Sequence, residues 1–459
     1  MPSEHDPRFP YSNELEMPVI GLEAEFKVFI DDEEVTPEEV WRTPASFIDR
    51  PLLRRTSKSS QLPTGGAVYF DGGVIEVVTP VIEIAPQCTA RVVRSLWEQI
   101  GFVRDQLDRW EKRTGKRVRL QAFSCHINIS FELPRGERNR NRTIQKLAML
   151  LAYLLPVPAI IAALNKRSTG IGMRPRRDRI EITMDFTPDP GLMSAAAALI
   201  VGIVRDVISW PSYRLDELEQ RGIPMIADVT PGKHPSRNGW VIRDYHFPQS
   251  PFASDPNAPI WQTRDGKRSL REIALATAFA FRDSIRRYTD PFSFRLLFSV
   301  LRGETPSLLD LKDRPAAYDD IGRSTRWGTV LPELENFSAL TSSTEGARRR
   351  GDVERLAPPW RGELQDRRTR VRLPARSGER RDQDRRQSPP DAPSPRLTRS
   401  AYEKVFLKLG SGKRLQIGNE ILTPVAVKGW YHSVFVNRKG EERLLSIDQI
   451  LHAGAQWRA

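Results

Sequence analysis

The sequence predicts an α+β fold built on an antiparallel sheet, and two observations carry that prediction. Runs in which β-branched residues alternate with polar ones are interleaved with runs of helical periodicity. In addition, Asp71-Gly72-Gly73 lies between two strand-like runs, which is typical of a hairpin turn. Because a hairpin joins antiparallel strands, this combination favours an α+β sheet over a doubly wound parallel sheet.

The predicted elements follow from the spacing of apolar residues along the chain. Residues 18–30 have the pattern of a first strand, and Thr36 before Pro37 is typical of a helix start over 36–46. Thr89 is predicted to cap a long amphipathic helix. The other predicted elements are a hairpin within 59–86, a strand over 117–133, a helix over 141–165, a strand over 179–190, a helix over 191–210 and a helical region over 256–312.

The net charge of +13 at first suggests a nucleic-acid-binding protein. Residues 348–400, however, hold 16 arginines against 8 acidic residues and so supply +8 of that charge. The rest of the chain is only mildly basic for its length, which argues against nucleic acid as a partner. Because residues 346–400 have few large apolar side chains, they are predicted to be a disordered Arg-rich linker.

A chain of 459 residues is too long for one ordinary core and suggests several units. The predicted division is a flexible N-terminus over 1–17, a main domain over 18–345, the linker over 346–400 and a small β-rich module over 401–459. Three runs give that last module its β character, and Asn437 to Gly440 is predicted to be a hairpin turn. The runs are VFLKL, RLQIGNEI and PVAVKGWYHSVFVNRKGEERLLSI.

Cysteine content and hydropathy predict where the protein resides. Cys88 and Cys125 are too few for a disulfide framework, which fits a reducing cytosol. The chain opens without a charged-then-apolar signal segment, and the apolar run over 191–204 is shorter than a membrane span. We therefore expect a cytoplasmic protein without a membrane partner, and a homo-oligomer remains open.

Ionisable residues recur inside the apolar strands. Glu23 and Glu25 are two residues apart in a predicted strand, so their side chains point to one face. Two carboxylates about 7 Å apart repel each other unless solvent or a cation relieves the repulsion. Four further ionisable residues lie within predicted strands: Glu76, His126, Glu181 and Asp185. A set of carboxylates with one imidazole suits Mg²⁺ or Mn²⁺.

Arginines accompany these residues along the chain, namely Arg167, Arg174, Arg176, Arg177 and Arg179. Carboxylates, a divalent metal and arginines together are typical of phosphoryl transfer, since the cations neutralise charge on the transferring phosphate. Each residue taken singly also has an ordinary structural interpretation. Glu23 and Glu25 could face solvent, His126 could be a core histidine, and the arginines could belong to a solvated loop.

Taken in order, the set resembles the carboxylate–amine ligases related to glutamate–cysteine ligase, in the glutamine synthetase superfamily. The matching positions are Gly21, Glu23 and Glu25 for Gly-x-Glu-x-Glu; Glu76 with Thr79-Pro80; Cys125-His126 for Cys-His-x-His; the loop 165–170; Glu181 and Asp185 for Glu-x-Arg-x-x-Asp; and HPSRNGW over 234–240. Two positions depart from the family: Asn128 replaces the second histidine, and Thr183 replaces the arginine.

The resemblance implies a fold, an activity and a set of roles. The fold is a glutamine-synthetase-like catalytic domain over 18–345, with a curved antiparallel sheet and helices on its outer face. The activity is ATP-dependent ligation of a small amino-acid-like carboxylate to an amine through an acyl phosphate, with Mg²⁺ or Mn²⁺. The implied metal ligands are Glu23, Glu25, Glu76, His126 and Glu181; the implied ATP-binding residues are Arg179, Arg177 and Asn128; the implied catalytic residues are Arg179, Asp185 and Arg167.

Two alternatives remain open at this point. Thr183 and Asn128 favour a catalytically impaired family member that acts as a binding protein through its basic linker and C-terminal module. A phosphotransferase such as a guanidine kinase would use the same ATP chemistry, but it would leave a stable phosphorylated product.

Overall fold

The structure, a computed structural model, describes residues 15–56, 58–134, 137–235, 237–323, 398–454 and 456–458. Most of the predicted flexible N-terminus and nearly all of the predicted linker lie outside the described residues.

The described residues form nineteen strands. They are β1 (Val19–Ile30), β2 (Glu33–Val35), β3 (Leu53–Thr56), β4 (Ser59–Gln61), β5 (Ala67–Asp71), β6 (Val74–Val78), β7 (Ile82–Glu83), β8 (Val118–Ser130), β9 (Gly170–Pro175), β10 (Arg179–Asp185), β11 (Gly232–Lys233), β12 (Trp240–Arg243), β13 (Trp261–Thr263), β14 (Gly266–Arg268), β15 (Arg414–Ile417), β16 (Glu420–Lys428), β17 (His432–Val436), β18 (Glu442–Ser446) and β19 (Gln456–Arg458).

Eleven α-helices accompany them within the described ranges. They are α1 (Pro37–Trp41), α2 (Cys88–Thr114), α3 (Arg140–Leu154), α4 (Pro156–Ala163), α5 (Pro190–Ile208), α6 (Asp216–Gln220), α7 (Leu270–Ala280), α8 (Arg282–Tyr288), α9 (Pro291–Arg302), α10 (Ala401–Gly410) and α11 (Ile447–His452).

The central sheet has the strand order β4-β5-β6-β1-β8-β10-β9-β12-β11, and every neighbouring pair in it is antiparallel. The two long strands β1 and β8 pair from Ile20 opposite Ile129 to Ile30 opposite Val118. The predicted α+β class with an antiparallel sheet is therefore confirmed. Its closer assignment as glutamine-synthetase-like stays a prediction.

Alternation along β1 separates the two faces of this sheet. Leu22, Ala24 and Phe26 are fully buried and face the helices, whereas Glu23 and Glu25 point the other way. The Phe26 ring meets Phe186 edge to face at 5.3 Å, and Phe186 in turn stacks on Trp97 of α2 at 5.7 Å. Helices thus cover the apolar face, and the carboxylate-bearing face is left to form a site.

Helix α5 combines length with an apolar composition. By length and composition it could span a membrane, but 89% of its apolar window is buried inside the protein, as expected of a core helix. The pair α3 and α4 passes the same test only when taken together, and it is bent by 57°. A cytoplasmic location stays a prediction.

Two sequence-based element assignments were wrong. The run VFLKL belongs to helix α10 and not to a strand. Ser400 and Glu403 form a capping box at its start, in which each side chain accepts a hydrogen bond from the other residue's backbone N–H. Thr89, predicted to cap the long helix, lies inside α2, whose N-cap is Gln87. The helical stretch predicted over 141–165 is present as α3 and α4, which are divided at Pro156 because proline cannot donate the helical hydrogen bond.

The C-terminal residues pack against the main sheet. Residues from Arg399 onward belong to the same compact unit as the described residues up to 323. Tyr402, Phe406 and Phe435 share one buried cluster with Val19 and Val81, which flank the start of β1. Strand β16 also meets β3 in a short parallel pairing. Whether residues 401–459 are an independent domain stays a prediction, but their core is shared.

Candidate active site

Neighbouring strands bring the predicted polar residues onto one sheet face in direct register. Glu25 is opposite Glu76 on β6, and Glu23 is opposite His126 on β8. His126 is in turn opposite Thr183 of β10. One row further along, β8 Asn128 is opposite β10 Glu181. Residues that are up to 158 positions apart in the sequence therefore converge because antiparallel pairing places them side by side.

Glu23, Glu76 and His126 form a compact group of potential metal ligands. One oxygen or nitrogen atom of each lies within 4.8 Å of the others. His126 Nδ1 is 2.9 Å from Glu23 Oε2, and its Nε2 is 3.6 Å from Glu25 Oε1. Ser124 donates a hydrogen bond to the other oxygen of Glu25. Two to three carboxylates with one imidazole form a donor set that fits Mg²⁺ or Mn²⁺.

Burial and neighbouring charges shift the pKa values of all three residues of this group. Burial, together with the negative charges of Glu23 and Glu25, raises the pKa of Glu76 to about 10. Burial also tends to raise the pKa of Glu23, but the hydrogen bond to His126 and the charge of Arg179 lower it to about 2. The pKa of His126, which burial alone would lower, is raised by Glu23. Glu76 is therefore protonated at neutral pH, which removes one negative charge from the group.

Glu181, predicted as a fifth metal ligand, is held by two arginines. Its side chain is 1% exposed, with Oε1 2.6 Å from Arg174 Nη1 and Oε2 2.8 Å from Arg176 Nε. In the described chain it lies outside the group formed by Glu23, Glu76 and His126. Ligation of a metal by Glu181 stays a prediction, as does ligation by Glu25.

Arg179 and Asn128, both predicted to bind ATP, are in contact. Arg179 Nε donates to Asn128 Oδ1 at 2.8 Å. The guanidinium carbon of Arg179 lies 4.8 Å from the centre of the Trp430 ring. Arg177, by contrast, is exposed beyond the end of β9 and lines a separate cleft beside Trp430. Its predicted role in ATP binding stays untested.

Asp185 and Arg167 lie at the other end of the polar face. Asp185 Oδ2 accepts hydrogen bonds from Asn165 Nδ2 at 2.5 Å and from Ser168 Oγ at 2.9 Å. Burial raises the pKa of Asp185, although Ser168 and Arg314 oppose the shift. Arg167 belongs to the same loop, where its backbone N–H donates to Asn165 Oδ1 at 2.8 Å.

A cleft of about 460 Å³ opens over this end of the site. Its wall includes Glu25, His126, Arg167, Arg174, Asp185 and Arg237. His234 and Arg237, from the HPSRNGW segment, thus reach the cleft, whereas Ser236 lies outside the described residues. The cleft is open to solvent and joins the metal-type ligands to a wall rich in arginine.

Arg174 is a functional candidate for which the sequence analysis predicted no individual role. It is 5% exposed, and its Nε and Nη2 are buried without a hydrogen-bond partner among the described residues. Asn128 Nδ2 is in the same condition. Buried donors left without acceptors cost about 1–3 kcal/mol each, so an anion that supplies oxygen acceptors would be favoured here. The sequence feature that indicates a role for Arg174 is its position inside an apolar strand, between Met173 and Pro175.

Thr183, where the resembling family has arginine, packs against Gly172. A Cβ built on Gly172 would lie 2.3 Å from Thr183 Oγ1, so that glycine makes room for the threonine. Arg174 and Arg176 bring positive charge to the neighbouring row, where both are ion-paired with Glu181.

The chain matches no protein-family model. It also matches no curated protein. Among solved structures, it is similar to a crystal structure of the complex between the prokaryotic ubiquitin-like protein Pup and its ligase PafA. That similarity covers 95% of this chain and 92% of the other chain, with a TM-score of 0.43 and 10% sequence identity.

Proposed function

We propose that the protein is an ATP-dependent carboxylate–amine ligase of the glutamate–cysteine ligase-like kind, which forms an amide through an acyl phosphate. One observation carries the proposal. The potential metal ligands Glu23, Glu76 and His126 lie on the same sheet face as Arg174, whose buried Nε and Nη2 have no acceptor in the part of the chain that the structure describes. Phosphoryl transfer needs this pairing of a divalent-cation site with anchored positive charge beside it.

Glu23, Glu76 and His126 would hold the divalent cation, with Glu25 and Glu181 as the further predicted ligands. When bound, Mg²⁺ neutralises charge on the phosphates of ATP and orients them. The protein contributes the fixed positions of these ligands, which come from strands β1, β6 and β8 in direct register. Their placement on strands keeps the site geometry rigid.

In the first half-reaction, an oxygen of the substrate carboxylate attacks the γ-phosphorus of ATP. The bond from that phosphorus to the bridging oxygen breaks, and ADP leaves with the bonding electrons. Arg174 and Arg179 are the arginines best placed to hold the equatorial oxygens of the transferring group. The free Nε and Nη2 of Arg174 present two donors in the fork geometry that matches phosphate.

In the second half-reaction, the amine nitrogen attacks the acyl carbon and phosphate leaves. The nitrogen must lose a proton for the amide to form. Asp185 is a carboxylate in the cleft wall whose pKa is raised by burial, which makes it a stronger base than a surface aspartate. Arg167, in the same wall, would attract the negatively charged acid. We propose small amino-acid-like substrates on the basis of the volume of this cleft, about 460 Å³.

The test is Mg²⁺-dependent ADP release by the full chain, with pooled amino acids as acids and amines. ADP release that requires both an acid and an amine, together with an amide in the mass spectrum, would support the ligase. Hydroxylamine as the amine should trap the acyl phosphate as a hydroxamate. Glu23→Ala should abolish release, whereas the matched control Glu34→Ala, on the exposed strand β2, should keep it.

Two results would contradict the proposal. A stable phosphorylated substrate without an amide would identify a phosphotransferase. Binding of Mg²⁺–ATP without turnover would favour the binding-protein alternative, for which Thr183 in place of arginine is the supporting observation.

A further inference from the structure

The turn between β16 and β17 lies against the site, although it is about 400 residues from Gly21 in the sequence. A Cβ built on Gly21 would lie 3.3 Å from Trp430 Nε1. The glycine of the Gly-x-Glu-x-Glu strand therefore leaves space for this indole. Trp430 also covers the Arg179 guanidinium at 4.8 Å, a distance at which a cation–π attraction operates.

The preceding residue of the turn holds a second arginine. The carbonyl oxygen of Gly429 accepts a hydrogen bond from Arg55 Nη2 at 2.7 Å, and Arg55 Nη1 donates to Gln61 Oε1 at 3.0 Å. Gly429 has a φ of +65°, a conformation in which glycine is favoured. Any other residue would be strained there, and the turn that presents this carbonyl would be less stable.

Both arginines lie near Glu23. Arg179 is hydrogen-bonded to Asn128, which is the cross-strand partner of Gly21 on β1. Burial lowers the pKa of Arg55, and the nearby charge of Glu23 opposes that shift. Two cations next to the potential metal ligands are thus both held by one two-residue turn. Because a guanidinium on a flexible stem loses considerable entropy when it is fixed, holding it in advance strengthens anion binding.

We propose that the turn Gly429–Trp430 is a positioning element of the active site, which holds Arg55 and Arg179 ready for the phosphates of the nucleotide. Trp430 is thus a positioning residue and not a catalytic one. The inference rests on the proposed function only in that it assumes Mg²⁺–ATP as ligand. It adds that the last 60 residues complete a site whose proposed metal ligands and catalytic residues lie before residue 186.

The rigid attachment of the turn supports this role. Strands β16 and β17 pair with each other, and Phe435 and Val427 are buried in the cluster that also contains Val19. Trp430 and Tyr431 pack against that cluster at its edge. The position of the indole is therefore set by a packed core that is continuous with the start of β1.

The experiment compares Trp430→Ala, Trp430→Phe and Trp457→Ala in the full chain. Trp457 is a matched control, because it packs at the edge of the same cluster but contacts Lys408 and pairs with β15, away from the site. Calorimetry gives the Kd of Mn²⁺ alone and that of a non-hydrolysable ATP analogue with Mg²⁺. Thermal unfolding gives the Tm of each variant.

We expect Trp430→Ala to weaken binding of the analogue about tenfold, because the cation–π contact with Arg179 is lost. The affinity for Mn²⁺ alone should stay within about threefold, since the ligands themselves are untouched. Trp430→Phe should restore most of the analogue binding, and Trp457→Ala should bind like the wild type. A general structural defect would weaken the binding of the ATP analogue and of Mn²⁺ together.

Three results would overturn the inference. They are unchanged analogue binding by Trp430→Ala, an equal loss in Trp430→Ala and Trp457→Ala, or a wild type that does not bind the analogue. If the wild type binds the analogue but forms no amide with any acid and amine, the ligase proposal fails while the positioning role is still measured. The two failures are therefore distinguishable.

Discussion

Glu25 and Glu76 are direct partners across the antiparallel strands β1 and β6. Like charges directly opposite each other destabilise a sheet, and Glu23 adds a third carboxylate on the same face. The described structure accommodates them through a raised pKa on Glu76 and a hydrogen bond between Glu23 and His126. At this site a proton would compete with the proposed divalent cation for the same carboxylate oxygens.

The first prediction is that binding of a divalent cation releases protons. With its pKa near 10, Glu76 is protonated at pH 7, and it must lose that proton to become a ligand. We expect release of about one proton from Glu76 and up to one more from His126, whose pKa Glu23 raises against the effect of burial and which must be neutral to bind the metal. The affinity for Mn²⁺ should therefore rise by about tenfold or more per pH unit between pH 6 and 9. Calorimetry in two buffers of different ionisation enthalpy measures the release. In Glu76→Gln the released fraction should fall, and equal apparent enthalpies for the wild type in both buffers would contradict the prediction.

The second prediction concerns stability without a cation. The pKa of Glu76 is raised in the folded state from its usual 4.5 to about 10, so the folded chain holds a proton that the unfolded chain releases. The contribution of this group is therefore fully present below pH 4.5 and is lost progressively as the pH rises toward 10. In EDTA at pH 9, Glu76→Gln should be more stable than the wild type by about 1–3 kcal/mol.

Thermal unfolding of both proteins at pH 5 and pH 9 measures this difference. The advantage of the variant should be small at pH 5 and larger at pH 9, and saturating Mn²⁺ should reverse it. Glu34→Gln, on the exposed strand β2, is the matched control and should follow the wild type at both pH values. A variant less stable than the wild type at pH 9 would show that Glu76 is not held protonated.

The strand periodicity was enough to place Glu23 and Glu25 on one face of the sheet. Because side chains alternate with a period of two, Glu23 and Glu25 had to share a face once residues 18–30 formed a strand. The register that brings Glu76 and His126 beside them depends on long-range pairing, which a single sequence does not specify.

Short apolar runs and neighbouring arginines were harder to interpret. A five-residue run such as VFLKL fits a strand or a helix equally well, and only the capping box before it favoured helix. Strand β9 ends at Pro175, so that Arg174 lies within the strand and Arg177 lies after its end. Arg174 is in the strand opposite Glu181, whereas Arg177 lies beyond it and is exposed.

The third prediction separates these two arginines. Arg174→Lys keeps one positive charge beside Glu181 but removes the buried donors Nε and Nη2 that have no partner. We expect a loss of affinity for the Mg²⁺-bound ATP analogue of about 30-fold, as is typical of charge-assisted hydrogen bonds in a buried site. Arg177→Lys, the matched control, should bind within about twofold of the wild type. Calorimetry measures both, and an equal effect of the two substitutions would assign the anion site elsewhere.

The fourth prediction tests how the C-terminal helix α10 is attached. Glu403 has a side chain with 0% exposure, and its Oε1 lies 2.7 Å from Arg94 Nη2 of α2 and 2.8 Å from Arg399 Nη1. Removing this buried negative charge leaves both arginines with the partly exposed Glu98 as their ion-pair partner, and the loss of a buried pair is more costly than the loss of an exposed one. Glu403→Gln retains the oxygen that caps the helix but loses the charge, so we expect a loss of about 2 kcal/mol in the free energy of unfolding. The exposed Glu442→Gln should lose less than about 0.5 kcal/mol.

Denaturant unfolding measures both variants. Because α10 shares a core with β1, a single transition should report the loss in Glu403→Gln. A separate early transition of the C-terminal residues would instead show that they unfold independently of the sheet that carries Glu23.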